Sequence, residues 1–284
     1  GVLPHEIGDG APAAALEAQA VLARTWALRN SHRFQVDGYH LCADTQCQVY
    51  ADPRLASNAV RQAIQRSRGQ VLSWRGQPIH AVYHASNGGV AAGYEEVWNG
   101  APLPYLRPFV DGPASLASAL PLPLGAASLQ RLLQEPLSAI GADHPLFRWQ
   151  RLLSAEDLAR AAASGGPPIG TVRSLTVLER GPSGRVLALR IGGSKGSRVL
   201  RRDAIRRTLR QLPSTLFLIT PTGPGLWRLV GGGFGHGAGL SQAGALDLAR
   251  QGWSASRILS RYYPETLLRR TGELASDGDP GQAP

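Results

Sequence analysis

Apolar positions first recur along this chain with the spacing of a helix. Leu16, Ala20, Ala23 and Ala27 follow at intervals of four, three and four, on one face of a helix predicted over residues 11–30. Pro12 suits its first turn and Asn30 its stop. A second helix is predicted over 52–67, with Ala59, Ala63 and Ile64 inward. The period then drops to two. Gln70–Trp74 and Pro78–Ser86 flank Arg75-Gly76-Gln77 and predict a β-hairpin whose second strand carries His80, Val82 and His84 on one face. The uncharged run from Gly112 to Gln130 contains Pro113, Pro121 and Pro123; it reads as a linker and excludes a membrane helix. Helical pieces follow around 127–140 and 154–164.

From Gly170 to Leu200 the pattern is strand, turn at 181–184, strand, glycine-rich turn and short strand. Asp203 is placed to cap a helix bearing Ile205, Leu209 and Leu212. Strands around 214–220 and 226–230 lead into a glycine-rich segment at 231–239. A helix from about Ser241 to Arg250 follows, with Gly252 past its end. The stretch after Ala275 reads as a frayed tail. Helices and strands mix without strict alternation, so the expected class is α+β.

Composition narrows the picture further. The 284 residues are 43% hydrophobic, enough for one large domain or two modest ones, each with a core. The 34 glycines and 21 prolines call for many turns without implying disorder, because apolar segments recur throughout. The net charge is +10 and Lys195 is the single lysine, so arginine carries the positive balance. Such a chain suits a polyanionic partner: nucleic acid, anionic membrane or wall polymer. No nucleic-acid motif accompanies the cluster Arg198, Arg201, Arg202, Arg206 and Arg207, which reads as a solvated face or a site for wall polymer. Methionine is absent even at position 1, as expected of a trimmed or processed chain.

Candidate chemistry is sparse. Glu6 lies among apolar neighbours just before a helix; such a carboxylate has a raised pKa and can donate a proton, although acids near helix starts are common for simpler reasons. The glycine-rich segment partly fits a dinucleotide fingerprint, but no acid follows about 20 residues on, and the nucleotide reading is discarded. His236 and Gln242 beside bare backbone read instead as a polar-ligand surface. His80 and His84 are structural or ligand histidines, and Ser86–Gly89 is a turn or a small ligand loop. Cys42 and Cys47 enclose four residues: a disulfide, or zinc shared with His40 and His32, would use them, and free thiols are the third alternative.

Taken in order, several stretches resemble the SpoIID family (stage II sporulation protein D), which includes the LytB amidase enhancers. They are GVLPHEI at 1–7, LEAQAVLARTWAL at 16–28, CQVY at 47–50, IHAVYHASNGG at 79–89, PYLRPFVDGP at 104–113, STLFLI at 214–219, GFGHGAGLSQAGA at 233–245 and ILSRYYPET at 258–266. The resemblance implies an extracytoplasmic lytic transglycosylase acting on peptide-free peptidoglycan strands at the bond between N-acetylmuramic acid and N-acetylglucosamine, with Glu6 as the catalytic acid. Only Glu6 is carried over from the family; from their positions in these motifs, His84, Ser86, Asn87, His236, Ser241 and Gln242 are expected to orient the sugar. No cofactor is required. A structural zinc at Cys42, Cys47 and His40 is one expectation, and a Cys42–Cys47 disulfide the other. Gln46 stands where a histidine often precedes the second cysteine, and Val90 replaces a common threonine. The family's usual extra N-terminal sequence is absent here, which would leave the first strand unpartnered.

These readings together predict a two-lobed protein, with residues 1–112 and 204–270 as the core lobe and 113–203 as a smaller insert. A cleft holding Glu6 would lie where the N-terminal motif meets the HASNGG and GFGHGAG loops, and 271–284 would form a flexible tail. Expected partners are glycan strands and a cell-wall amidase, with no nucleic acid and no membrane span. The rival reading is a LytB-like module that binds wall glycan and stimulates an amidase without cutting. A basic nucleic-acid binder, the third, would show steeply salt-dependent DNA binding.

Overall fold

The computed structural model describes residues 1–43, 47–163, 166–210 and 212–274. It is an α+β protein whose chain divides into two compact units: 1–83 with 245–284, and 84–244. The sequence-based division at 112/113 and 203/204 is drawn elsewhere.

The first unit is built on the helix Ala13–Arg29, which starts after Pro12 and stops at Asn30 as expected. Its alanines let it be buried on most of its circumference, and Leu16, Ala20 and Ala23 pack with Leu3, Val60 and Ala63. Its polar residues tie in the neighbouring sheet. The Leu72 N–H donates to Thr25 Oγ1 at 2.9 Å, and Arg24 Nη1 donates to the carbonyls of Ser67 and Gln70. That sheet is antiparallel, in the order Leu267–Arg270, Gln70–Trp74, Gln77–Pro78. The helix Ala255–Tyr262, capped by Ser254, buries Ile258, Leu259 and Tyr262.

Several local expectations change here. The start of the chain is a short helix, Leu3–Glu6, rather than a strand. The second helix is a 3-10 turn, Pro53–Leu55, followed by Asn58–Arg66 under a Ser57 cap. Its inner face carries Val60 and Ala63, while Ile64 is exposed. The hairpin's second strand stops at Pro78, and the Val82 N–H then donates to the His80 carbonyl two residues back, at 2.9 Å. This tight turn breaks the alternation, so His80 and His84 share no strand face. Of the expected tail, Thr271–Glu273 forms a 3-10 turn and the Thr271 N–H donates to the Gly69 carbonyl; residues 275–284 lie outside the described residues.

The second unit contains two three-stranded antiparallel sheets. One orders Phe217–Gly223, Leu226–Gly232, Arg148–Ser154; the other orders Val172–Arg180, Val186–Gly193, Ser197–Arg201. Trp149, Leu153, Val186, Leu189, Phe217 and Leu229 belong to one apolar core. The expected linker at 112–130 is instead part of a second core. Helix Ala114–Ala119 and the start of Ala126–Gln134 lie there, and Leu116, Leu120, Leu124 and Leu129 are buried. The prolines fall before and between the helices, where they cost no helical hydrogen bond. Asp203 opens the helix Asp203–Thr208 rather than capping it. Arg202 holds the cap position at φ +48°, and the helix ends before Leu209 and Leu212.

Within this unit Arg185 is the largest of the fully buried side chains among the described residues. Arg185 donates from Nη1 to the Val90 carbonyl (2.9 Å) and Ser183 Oγ (3.1 Å), and from Nη2 to the Asn87 carbonyl (2.9 Å). Buried Glu96 accepts from the Gly93 N–H (2.6 Å) and from the Ser183 N–H and hydroxyl (3.0 and 2.7 Å). Residues 87–96 and the hairpin at 183–185 are thus fastened into one body. Removing the guanidinium strands these acceptors, so Arg185→Leu is expected to lower stability by about 3 kcal/mol. Thermal unfolding would check this; an unchanged transition would show the network to be dispensable.

Candidate functional site

Glu6 ends the helix Leu3–Glu6 and is half-buried. The Val49 N–H donates to its Oε1 at 3.2 Å. Tyr83 stands beside the carboxylate with its hydroxyl in hydrogen-bond contact, and the same hydroxyl lies 3.0 Å from Gln48 Oε1. Burial, with the Glu6 charge adding to it, pushes the Tyr83 phenol well up, so Tyr83 keeps its proton and remains a donor. Gln48 is itself fixed, its Nε2 donating to the Ala23 carbonyl of the central helix at 3.2 Å. The first unit therefore presents one carboxylate held by a peptide N–H and a neutral phenol.

Just before this segment, Cys42 and Cys47 form a disulfide with Cα atoms 5.6 Å apart. With both sulfurs bonded to each other they do not fit a zinc site, and His40 Nδ1 contacts the Ser31 carbonyl at 2.7 Å. Among the described residues no group of three or more His, Cys, Asp and Glu is placed to hold a metal. Gln46 lies outside the described residues. Gln48 and the disulfide also line an apolar cavity of about 530 Å³ with Trp26 and Leu41.

The other expected site residues belong to the second unit, where two loops meet backbone to backbone. The Ser86 N–H donates to the Phe234 carbonyl (3.1 Å), and the Phe234 N–H donates back to Ser86 (2.8 Å). Gly88 and Gly233 have φ of +71° and +83°, and a Cβ on either would meet the opposite loop's backbone at 2.6 Å. A Cβ on Gly237 would enter the Arg185 guanidinium. These glycines face the protein's own chain, which corrects the expectation of backbone laid open to a ligand.

Side chains in these loops are mostly committed inward. Asn87 is fully buried, its Nδ2 donating to Asp111 Oδ2 (2.7 Å) and its Oδ1 accepting the Gly89 N–H (2.9 Å). Ser86 Oγ is buried and lies 3.4 Å from the Gly88 N–H. Ser241 Oγ accepts from the N–H groups of Gly244 (3.3 Å) and Asn87 (3.4 Å). His84 is buried, and its Nδ1–H donates to the Ala238 carbonyl at 3.1 Å. Burial, then the charges of His236 and Arg185, hold its pKa well below the ordinary histidine value, so the ring is neutral. His236 and Gln242 are half-buried; the His236 ring lies 5.2 Å from His84 and 5.0 Å from half-buried Trp98.

Sequence reasoning missed Val49, Gln48 and Tyr83 around the acid, although all three stand inside quoted motifs. It also missed Trp98, Asp111, Glu96 and Arg185. A Val49 contact made by a peptide N–H has no side-chain signature, and Arg185 opens a strand otherwise read for its leucines.

Residues 1–74 match the family model described as stage II sporulation protein (SpoIID). Residues 92–239, just over half of the chain, match a domain of unknown function, DUF8618. An uncharacterized protein of Brachyspira hyodysenteriae (strain ATCC 49526 / WA1) is 29% identical over 93% of this chain and 63% of its own length. The amidase enhancer of Bacillus subtilis (strain 168) is 28% identical over 94% of this chain and 40% of its own length. Stage II sporulation protein D of Bacillus amyloliquefaciens is 29% identical over 93% and 70%. The chain thus spans well under two thirds of the amidase enhancer and slightly under two thirds of the Brachyspira protein. It belongs to the family of the DUF8618 domain, and the match at 1–74 together with these relatives supports the SpoIID/LytB family.

His80, in the first unit, supplies a pH test. Its Nε2 accepts from Arg29 Nη2 at 2.9 Å, and burial together with the Arg29 charge lowers its pKa to about 4. An unfolded histidine titrates near 6.5, so the neutral ring's contribution is complete above that value. It is lost as pH falls from about 6.5 through 4. The melting temperature is expected to drop across this window, and to drop less in His80→Gln, which retains an acceptor for Arg29. Parallel profiles would contradict the assignment.

Proposed function

We propose that this chain is a peptidoglycan lytic transglycosylase acting outside the cytoplasm, with Glu6 as general acid and then general base. The hold on Glu6 supports this reading: a half-buried carboxylate set on the Val49 N–H, beside a phenol that keeps its proton. A protein that only bound glycan would have no need to orient a carboxylic acid in this way. Among the described residues no helix is long and apolar enough to cross a membrane.

In the protonated form Glu6 gives its proton to the glycosidic oxygen while the C1–O bond breaks through an oxocarbenium-like state. The N-acetylglucosamine end leaves as an alcohol. The Glu6 carboxylate then removes the proton of the muramic acid C6 hydroxyl, whose oxygen bonds to C1 and closes a 1,6-anhydro ring. The acid ends as it began. Because the nucleophile is already attached to the sugar, neither a second carboxylate nor a held water is required, and no cofactor takes part. His236 and Gln242 are assigned to orienting the sugar. Buried His84, Ser86, Asn87 and Ser241 act through the shape of the loops.

A second reading rests on the relative named amidase enhancer. In it the chain binds glycan and stimulates an amidase partner without cutting. Digestion of purified peptide-free glycan strands, followed by mass spectrometry, separates the two. Wild type is expected to release 1,6-anhydro-muramic ends, and Glu6→Gln at least about a hundredfold fewer. Reducing ends would mean hydrolysis by a held water. Glycan binding without products from either protein would favour the enhancer. Tyr83→Phe is expected to lower kcat about tenfold with KM unchanged, since it removes the partner of the acid and leaves the sugar contacts; a change confined to KM would place Tyr83 on the substrate instead.

A further inference from the structure

Residues 84–244 carry seventeen of the chain's thirty lysines and arginines but only nine of its twenty acids, and so eight of its ten net positive charges. The excess is concentrated along two adjoining grooves within this unit, of about 440 and 320 Å³. Arg160 lines the first, Arg151 and Arg206 the second, and Arg207 and Arg210 line both. Of the five arginines clustered in the sequence at 198–207, only Arg206 and Arg207 reach these grooves. Arg202 is occupied with the Glu95 carbonyl and Asn99 Oδ1, and Arg201 lies 3.9 Å from Glu179.

The acids nearby leave Arg160, Arg207 and Arg210 exposed. Asp203 serves both Arg206 (3.0 Å) and Arg207 (3.5 Å), and the Arg207 side chain stays 71% exposed. Arg160 meets Asp157 at 2.5 Å and stays 69% exposed. Arg210 is exposed just past the end of the helix, and among the described residues no carboxylate pairs with it. Several guanidinium forks gathered along two adjoining grooves match carboxylate or phosphate groups repeated along a chain. The second groove decides what joins those groups. Its walls include Leu146, Leu212, Pro213 and Phe234, whose side chain is exposed. An exposed aromatic ring in the wall of an anion-binding groove suits the C–H face of a pyranose. A bare phosphate chain has no such face.

We infer that these arginines and Phe234 form a binding groove for an anionic glycan strand, one with a carboxylate recurring along linked sugar rings. The groove lies apart in sequence from Glu6 and does not depend on the proposed reaction. Its occupancy is read by binding alone, so failure here would leave the proposed chemistry standing, and the reverse.

The test is fluorescence anisotropy with a labelled hyaluronan oligosaccharide, a glycan with one carboxylate per disaccharide, titrated at several salt concentrations. Wild type and Glu6→Gln are expected to bind alike. The double variant Arg207→Glu/Arg210→Glu is expected to bind at least tenfold more weakly, with a shallower salt dependence. Arg207→Gln/Arg210→Gln guards against misfolding, since it removes the charge with a smaller perturbation and should also weaken binding. Phe234→Ala is expected to weaken hyaluronan severalfold and leave inorganic polyphosphate unaffected. Unchanged binding in both arginine variants would overturn the groove. Polyphosphate bound through the same arginines, with hyaluronan indifferent to Phe234, would overturn the glycan and point to a phosphate polymer.

Discussion

Much of residues 84–244 depends on one guanidinium that has no access to water. Arg185 reaches the carbonyls of Asn87 and Val90 and the hydroxyl of Ser183, while Glu96 accepts from the same serine. Burying a positive charge is costly unless its donors are met. Here much of the compensation comes from backbone oxygens, which fixes the path of the chain rather than the identity of neighbouring side chains. Arg148 works in the same manner from another side, donating from Nη1 to the carbonyls of Gly88 and Phe147. Burial lowers the pKa of both arginines to about 10, which still leaves them charged at neutral pH. The loop at 86–89 is thus fixed by cations beneath it and by the glycine-rich loop against it.

The carboxylate of Glu6 is held on a different principle. No cation is recruited to it among the contacts that fix it; a peptide N–H and a neutral phenol do so. A cation beside the acid would bind its charged form and hinder proton donation. A phenol kept neutral by burial can accompany the acid through both protonation states. Gln48 links that phenol to the central helix, so the acid's surroundings are set by the most deeply buried helix of the first unit.

How far this was legible in the sequence follows from what each signal encodes. The helix Ala13–Arg29 was visible because its small apolar residues recur at helical spacing, and the hairpins at 172–201 because turn residues punctuate them. The strand Arg148–Ser154 was missed because Arg148, Gln150 and Arg151 disrupt its alternation; its membership comes from pairing with Leu226–Gly232. The stretch 112–130 was misread because prolines outweighed a leucine spacing of four. Glu6 could be singled out only through the ordered family motifs, since position alone left it an ordinary acid near a helix start. His84, Ser86, Asn87 and Ser241 were recognised as belonging together, but their burial, which turns them from ligand groups into supports, is a tertiary property that no residue type announces.

The route of the chain through the first unit also bears on the order in which the molecule can be made. Its sheet is completed by Leu267–Arg270 pairing along Gln70–Trp74, almost two hundred residues earlier. Between them lie all the strands and buried charges of residues 84–244. During synthesis from the N-terminus, that middle stretch has every one of its own partners before the edge strand leaves the ribosome. The strand Gln70–Trp74 waits meanwhile with one edge open, and the unit that carries Glu6 is the last to close.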